Sequence, residues 1–205
     1  MNTPAASDRA DFERLQRGDE LALNAIVTRW QARLHAFAWR YLQNDADATD
    51  LATEALVRLY QQRNRLRPDT NVGAWLFTTL AHLCQNQQRW RRRHGTESFE
   101  AAGGPASTPR ELAVAAAAGE TLDRDDALAA LAGAIERLPH AWRTALLLHH
   151  YEGWSYRAIG AVVGCSERGV ETRLYRAREK LRRELAPQLQ EDGRVALNFS
   201  PAQPK

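Results

Sequence analysis

The stretch Ser155-Tyr-Arg-Ala-Ile-Gly-Ala-Val-Val-Gly-Cys-Ser-Glu-Arg-Gly-Val-Glu-Thr-Arg-Leu-Tyr-Arg-Ala-Arg178 decides the fold of the second half of the chain. Ser155 and Ser166 are each suited to cap the N-terminus of a helix. Small Gly160 lets a second helix approach closely, and Gly164 supplies a tight turn between the two helices. The pattern predicts a helix-turn-helix, whose second helix enters a DNA major groove. Apolar residues at helical spacing form the buried face of that helix, namely Val170, Leu174, Ala177 and Leu181.

The opposite face of this second helix is polar and rich in arginine. Arginine reads guanine or grips phosphate, and glutamate accepts a hydrogen bond from cytosine. A solvated helix face with ion pairs one turn apart is the alternative interpretation. The caps, the small residue, the turn and the arginines together favour DNA binding. The candidate DNA-contacting residues are Ser166, Glu167, Arg168, Glu171, Thr172, Arg173 and Arg176.

Helical periodicity continues through most of the remaining chain. No stretch of four or more residues alternates apolar and polar side chains with a β-branched bias, so the sequence predicts an all-α protein. Further helices are predicted over 19–41, 45–62, 72–93, 124–138 and 141–151. The predicted organisation is two small helical domains, 8–94 and 122–186, a flexible linker, 95–121, and a C-terminal tail, 187–205.

Both predicted domains are basic, and the segment between them is acidic. Residues 8–94 carry 14 basic and 10 acidic side chains, and residues 121–186 carry 11 and 9. Residues 95–120 carry one arginine and four glutamates among many small residues, which is typical of a linker. The modest net charge of +3 therefore conceals two basic domains, each suited to nucleic acid.

The sequence excludes several other classes of protein. No apolar run approaches the ~18–20 residues that a membrane span needs, and the N-terminus has no signal-peptide pattern. Two cysteines, Cys84 and Cys165, fit a reduced cytoplasmic protein without a disulfide framework. The histidines and cysteines lack metal-ligand spacing, and no G-x-S-x-G, Walker or H-E-x-x-H motif occurs. We therefore expect no enzyme activity, no metal and no other cofactor.

Motifs in both halves of the chain match the signatures of one family. Asp47-Ala-Thr-Asp-Leu-Ala-Thr-Glu-Ala-Leu-Val-Arg-Leu-Tyr60 is similar to D-A-E-D-L-x-Q-E-x-F-x-R-L-W, and Ala74-Trp-Leu-Phe77 is similar to A-W-L-Y/F. In the second half, Leu138-Pro, Tyr151-Glu-Gly-Trp-Ser-Tyr and Arg173-Leu-Tyr-Arg-Ala-Arg match further motifs in the same order. The chain thus resembles the two-domain extracytoplasmic-function (ECF) sigma factors of bacterial RNA polymerase, over residues 10–93 and 122–186.

This resemblance implies core RNA polymerase and promoter DNA as partners. In the family, the first domain binds the β′ clamp helices and the melted −10 element, and the second binds the β flap and the duplex −35 element. An anti-sigma factor is a further common partner. The residues that the resemblance assigns to core polymerase are Asp47, Asp50, Leu51, Glu54 and Arg58. Taken alone, this acidic edge has an alternative interpretation. It would be an ordinary solvated helix face whose acidic residues near the N-terminus are stabilised by the helix dipole.

Promoter melting requires a basic path for one strand and pockets for unstacked bases. Trp90 is suited either to stack on a base or to pack against a neighbouring helix, and the sequence favours neither. The candidate −10 residues lie in the loop after the second predicted helix and on the third: Arg63, Asn64, Arg65, Asn71, Asn86, Gln87, Arg89 and Arg91.

The sequence also departs from the family pattern in ways that leave alternatives open. Thr49 and Thr53 replace the usual Glu and Gln, and the segment 78–86 lacks two arginines and an aspartate of the usual −10 helix. These changes predict an altered promoter preference. One alternative is a degenerate sigma-like protein that binds polymerase without melting promoters. Another is a stand-alone helix-turn-helix transcriptional regulator, which would leave residues 8–94 without a role.

Overall fold

A computed structural model describes residues 4–94 and 121–192, with side chains over 7–94 and 127–186. Within these ranges the chain is helical with short connections, as the sequence predicts. The first half contains α1 (Pro4–Gln16), α2 (Glu20–Leu42), α3 (Asp45–Gln62) and α4 (Val72–His94). The second half contains α5 (Thr121–Glu136), α6 (His140–His150), α7 (Tyr156–Val163) and α8 (Glu167–Asp192).

Helices α2, α3 and α4 form a bundle at the positions that the periodicity predicts. Asp19 caps α2 by accepting from the backbone N–H of Leu21, and Asn44 caps α3 by accepting from that of Asp47. Gln43 ends α2 in the left-handed conformation, with φ 52°. Buried aromatic rings pack edge to face in the middle of the bundle, among them Trp30, Phe37 and Phe77. Close aromatic packing of this kind fixes the orientation of α4 against α2.

Helix α1 was not predicted, and it packs across α2 and α4. From residue 7 onward, where its side chains are described, its apolar face is small, since Phe12 and Leu15 are the buried hydrophobic residues. Asp8 adds a buried carboxylate, which accepts from Nε1 of Trp30 at 3.1 Å and pairs with Arg29. This polar anchor compensates for the short apolar face of the helix.

The second half forms the predicted helix-turn-helix. The hydroxyl oxygen of Ser155 accepts from the N–H of Ala158 at the start of α7, and that of Ser166 accepts from Gly169 at the start of α8. Gly164 ends α7 with φ +67°, a conformation that favours glycine. A Cβ atom on Gly160 would lie 2.5 Å from the carbonyl oxygen of Cys165. The glycines of this motif are therefore required by its backbone.

We predict that Gly160→Ala destabilises the protein. The added Cβ would overlap a backbone oxygen, which cannot move as a flexible side chain can, so we expect a loss of about 1–3 kcal/mol in the free energy of unfolding. Gly133→Ala on α5 is the matched control, because the nearest atom is the end of the Arg137 side chain at 3.3 Å. That change is expected to be neutral or to stabilise by up to about 1 kcal/mol. Urea unfolding of both variants tests this, and equal stabilities would contradict it.

The two halves pack directly against each other, which the sequence does not predict. The guanidinium of Arg143 on α6 is fully buried; its Nη1 donates to the Tyr41 carbonyl at 3.0 Å, and its carbon lies 4.4 Å from the centre of the Tyr41 ring. The amide oxygen of Gln88 on α4, in the orientation that satisfies both groups, accepts from both Nη atoms at 3.0 and 3.1 Å. One arginine thus joins α2, α4 and α6.

Further contacts extend this junction on either side of Arg143. Arg33 on α2 pairs with Glu152 at 2.7 Å, and the rings of Phe77 and Trp154 meet edge to face with centroids 5.1 Å apart. The Tyr41 hydroxyl lies 2.8 Å from Nδ1 of His140. Burial, with His82 and Arg143 nearby, lowers the pKa of His140 to about 4. The imidazole is therefore neutral near pH 7, and its Nδ1 can accept a hydrogen bond from the Tyr41 hydroxyl.

Parts of the predicted organisation lie outside the described residues. The structure does not describe residues 95–120, which hold nearly all of the predicted linker. It also does not describe residues 193–205 of the predicted tail. Helix α8 runs to Asp192, beyond the predicted end of the second domain at residue 186.

Candidate nucleic-acid and polymerase interfaces

The predicted −35 residues lie together at the start of α8, opposite its buried face. Val170, Leu174 and Ala177 are buried against α6 and α7, which turns the other side of α8 outward. Arg173 is half-buried, and its Nη1 donates back to the Gly169 carbonyl at 3.1 Å. The remaining predicted residues of this group are exposed: Ser166, Glu167, Arg168, Glu171, Thr172 and Arg176.

Gly169 has a structural reason to be a glycine inside a helix. A Cβ atom there would lie 3.1 Å from both Cβ and Sγ of Cys165 in the turn. It would also lie 3.0 Å from Nη1 of Arg173. The missing side chain lets the turn close against α8, and this contact offsets the cost of about 1 kcal/mol that glycine carries in a helix.

Tyr175 belongs to the same exposed surface, although it was not among the predicted residues. Its side chain is 64% exposed, which is unusual for a large ring on a folded domain. It lies one helical turn after Glu171 and Thr172 and next to Arg176. The sequence signal that could have identified Tyr175 is an aromatic residue at helical spacing on an otherwise polar helix face.

The predicted polymerase-binding residues occupy one side of α3 in different environments. Asp50 is exposed, and Glu54 pairs with Arg58 at 2.7 Å with both side chains partly exposed. Leu51 is half-buried and packs on the core. Val57, which was not predicted, is 40% exposed beside this ion pair. The outward surface of α3 therefore combines carboxylates with one exposed apolar side chain.

The remaining residue of that group, Asp47, faces α4. Its Oδ2 accepts from Nε2 of Gln87 at 2.8 Å and pairs with Nη2 of Arg91 at 2.6 Å. The structure thus joins one predicted polymerase-binding residue to two predicted −10 residues. This link depends on the register between two helices, so no local sequence pattern indicates it.

The loop between α3 and α4 divides into anchored and exposed residues. Arg63 lies over the Tyr60 ring at 3.9 Å, and Asn71 caps α4 by accepting from the N–H of Ala74 at 2.9 Å. Asn64 and Arg65 are exposed. Gln16 of α1 donates to the carbonyls of residues 63 and 66 at 2.6 and 2.8 Å, so the unpredicted helix holds this loop in place.

The C-terminal part of α4 presents some of its polar residues to solvent, while Gln87 and Arg91 face α3. Asn86 and Arg89 are exposed. Trp90 is 47% exposed and stacks on the His94 ring with centroids 4.8 Å apart. Trp90 thus lies on the surface and is not packed into the described hydrophobic core.

Over the described parts of the chain, no group of three His, Cys, Asp or Glu side chains is placed to hold a metal ion. No described helix is both long enough and apolar enough to cross a membrane.

Family models match both halves of the chain. Sigma-70 region 2 matches residues 26–94, and Sigma-70 region 4 matches residues 128–181. The first match begins within α2, so α1 lies outside it. The second includes the helix-turn-helix and the exposed face of α8.

Similar proteins cover nearly the whole chain. The RNA polymerase sigma-H factor of Pseudomonas aeruginosa is 30% identical over 186 residues, which are 90% of this chain and 96% of that protein. The ECF RNA polymerase sigma-E factor of Escherichia coli is 28% identical over 192 residues, covering 88% and 95%.

Two solved structures share the fold. CnrH in complex with the cytosolic domain of CnrY has a TM-score of 0.65 at 22% identity and covers 91% of this chain and 99% of that chain. The sigma factor RpoE of Bartonella quintana in complex with the anti-sigma factor NepR has a TM-score of 0.58 at 24% identity, covering 80% and 96%. With two matched regions in the family's order and relatives aligned almost end to end, the chain belongs to the ECF group of the sigma-70 family of RNA polymerase sigma factors.

Proposed function

We propose that this sigma factor docks on core RNA polymerase through the outward surface of α3 and directs initiation at promoters read by α4 and α8. The observation that carries the proposal is the start of α8, where a helix-turn-helix presents arginine, glutamate and threonine side chains outward. These are side chains that hydrogen-bond base edges or phosphates. The proposed domains remain 8–94 and 122–186.

The −35 element is assigned to the exposed residues of α8, with Tyr175 added to them. An exposed aromatic ring can contact a thymine methyl group or a sugar, and its hydroxyl can reach a phosphate. Arg176 is the stronger base-reading candidate, because the guanidinium of Arg173 is partly used within its own helix.

The melted −10 strand is assigned to the loop after α3 and to the end of α4. Asn64, Arg65, Asn86 and Arg89 are exposed, and Trp90 offers a ring on which a base can stack. Arg63 and Asn71 have hydrogen bonds that position the loop and the start of α4, so we assign them a supporting role.

The polymerase-binding surface is assigned to Asp50, Glu54, Val57 and Arg58. Carboxylates around one exposed apolar side chain are suited to a basic partner helix, because complementary charge steers docking while the apolar contact is desolvated. The β′ clamp helices are the partner that the family resemblance implies for this surface, and the β flap is the partner implied for the second domain.

We also propose an anti-sigma factor as a regulator, a cytoplasmic location and a role without enzyme activity. The support for the regulator is that CnrH and RpoE were each solved with a partner, CnrY and the anti-sigma factor NepR. The support for the other two is the function of the family, which acts by binding polymerase and DNA.

Transcription in vitro with purified core polymerase tests the proposal. We expect the chain to co-purify with core and to start RNA at promoters taken from its own genome. A stand-alone regulator would bind a specific duplex without polymerase. A degenerate sigma-like protein would bind core but start no RNA. Failure both to bind core and to start RNA would refute the proposed function.

Arg176→Ala should weaken promoter use, with Arg182→Ala as a control of the same charge change further along α8. If Arg176 reads a base, we expect a loss of about 1–3 kcal/mol in affinity for the −35 duplex and relaxed specificity at one position. If it grips a phosphate, affinity falls for all sequences and the salt slope decreases by about one. Unchanged affinity and salt response would remove Arg176 from the interface.

A further inference from the structure

The carboxylate of Asp47 links the two helices to which the proposed function assigns polymerase and the −10 strand. Asp47 lies in the first turn of α3, where its own N–H donates to Oδ1 of Asn44 at 2.8 Å. Its Oδ2 accepts hydrogen bonds from Nε2 of Gln87 and Nη2 of Arg91, both on α4. The Asp47 and Arg91 side chains are 19% and 26% exposed, so water only partly screens this pair.

This bond occupies groups that a DNA strand would need. A charge-assisted contact at 2.6 Å is among the stronger hydrogen bonds in proteins. Arg91 lies in the basic run at the end of α4. Among the described residues of that run, Arg91 is the arginine that pairs with a carboxylate. A phosphate that approaches Arg91 must therefore compete with Asp47 for the same donor.

The neighbouring acids on α3 do not share this arrangement. Glu54 pairs with Arg58 on its own helix. Asp50 is exposed, and among the described residues its carboxylate has no ion pair with α4. Asp47 is therefore the carboxylate of this edge placed to affect both proposed surfaces.

We propose that Asp47 is an internal competitor of the promoter strand, which holds Gln87 and Arg91 in the free protein and releases them when polymerase docks on α3. The release step rests on the proposed function, because it requires a cationic surface of polymerase that draws the carboxylate away from α4. Linkage makes the effect reciprocal: polymerase raises the affinity for the strand by the same factor by which the strand raises the affinity for polymerase.

The first test uses the free full-length chain and a single-stranded DNA oligonucleotide. D47N and D50N each remove one negative charge from the same edge, so non-specific attraction changes equally in both. We expect D47N to bind the oligonucleotide at least about fivefold more tightly than D50N. Its plot of log affinity against log salt should be steeper by about 0.7, the value for one more phosphate contact on a single strand.

Adding R91A to D47N should remove this gain. Equal affinities for D47N and D50N would overturn the proposal, and so would weaker binding by D47N, which would show that Asp47 positions the pair for DNA. Thermal melts check that the variants are folded. D47S provides a second variant if D47N is unstable.

The second test repeats the comparison in complexes formed at saturating core polymerase, because D50N removes a residue of the proposed polymerase-binding surface and is expected to weaken docking. There we expect the advantage of D47N over D50N to disappear, because polymerase has already displaced the carboxylate. An advantage that persists in the complex would overturn the release step. Failure of the wild-type chain to bind core would instead refute the proposed function, and the result with the free chain would stand on its own.

Discussion

Replacing Arg143 with alanine is expected to separate the two halves of the chain. Its guanidinium is fully buried between α2, α4 and α6, donates to the Tyr41 carbonyl and reaches the Gln88 amide. Alanine would leave those two oxygens without this donor and would open a cavity. We expect a cost of about 2–4 kcal/mol to the packed arrangement. A change of that size shifts the equilibrium between packed and separated halves by roughly 30- to 1,000-fold.

Small-angle X-ray scattering measures this outcome directly, because separation raises the radius of gyration while each bundle stays helical. Circular dichroism on the same samples distinguishes separation from unfolding. Arg137→Ala is the control, since Arg137 is exposed and pairs with Glu184 within the second half. A radius of gyration that is the same for wild type, Arg143→Ala and Arg137→Ala would show that Arg143 does not hold the halves together.

Replacing Asp8 with alanine is expected to detach α1 from the first bundle. Asp8 is 4% exposed, accepts from Nε1 of Trp30 and pairs with Arg29. Its removal would leave a buried indole N–H without this acceptor and would weaken the pairing of a partly buried guanidinium, which Asp11 alone would then hold. We expect a loss of about 2–4 kcal/mol in the free energy of unfolding, measured by urea denaturation.

The same change should loosen the loop between α3 and α4. Gln16 of α1 donates to two carbonyls of that loop, at residues 63 and 66. Faster amide hydrogen exchange over 63–71 is therefore expected in Asp8→Ala. Arg9→Ala is the control, because the Arg9–Glu13 pair is exposed and contributes under about 1 kcal/mol. Exchange rates in the loop that do not differ between the two variants would show that α1 does not support it.

The sequence predicted the elements whose signals are local. Helices α2, α3 and α4 have long apolar periodicity, and Ser155 and Ser166 cap their helices as expected. The exposed polar face of α8 follows from the position of its buried residues. Helix α1 has too few apolar residues to give such a signal. Its stability depends on Asp8 meeting residues of α2 that are more than twenty positions away.

Contacts between elements could not be predicted in this way. Arg143 lies 102 positions from Tyr41, and nothing in its local pattern distinguishes an arginine that enters a protein interior from one on a solvated face. The pairing of Asp47 with Arg91 depends on how α3 and α4 are aligned. The motif match placed Asp47 on an acidic edge of α3, whereas the structure turns this residue towards α4.

The packing of α7 against α4 can be compared with the distance between the two promoter elements. The two elements that this chain is proposed to read are centred about 25 base pairs apart, or about 85 Å at 3.4 Å per base pair. With the rings of Phe77 and Trp154 in contact, the helix-turn-helix is held directly against α4. If this packed form is too short to span both elements, the apparent affinity for the whole promoter is the intrinsic affinity reduced by the fraction of chains that are open. For a chain open about one time in a hundred, that reduction is about a hundredfold. The strength of the Arg143 junction would then set how much of the intrinsic promoter affinity the chain can use.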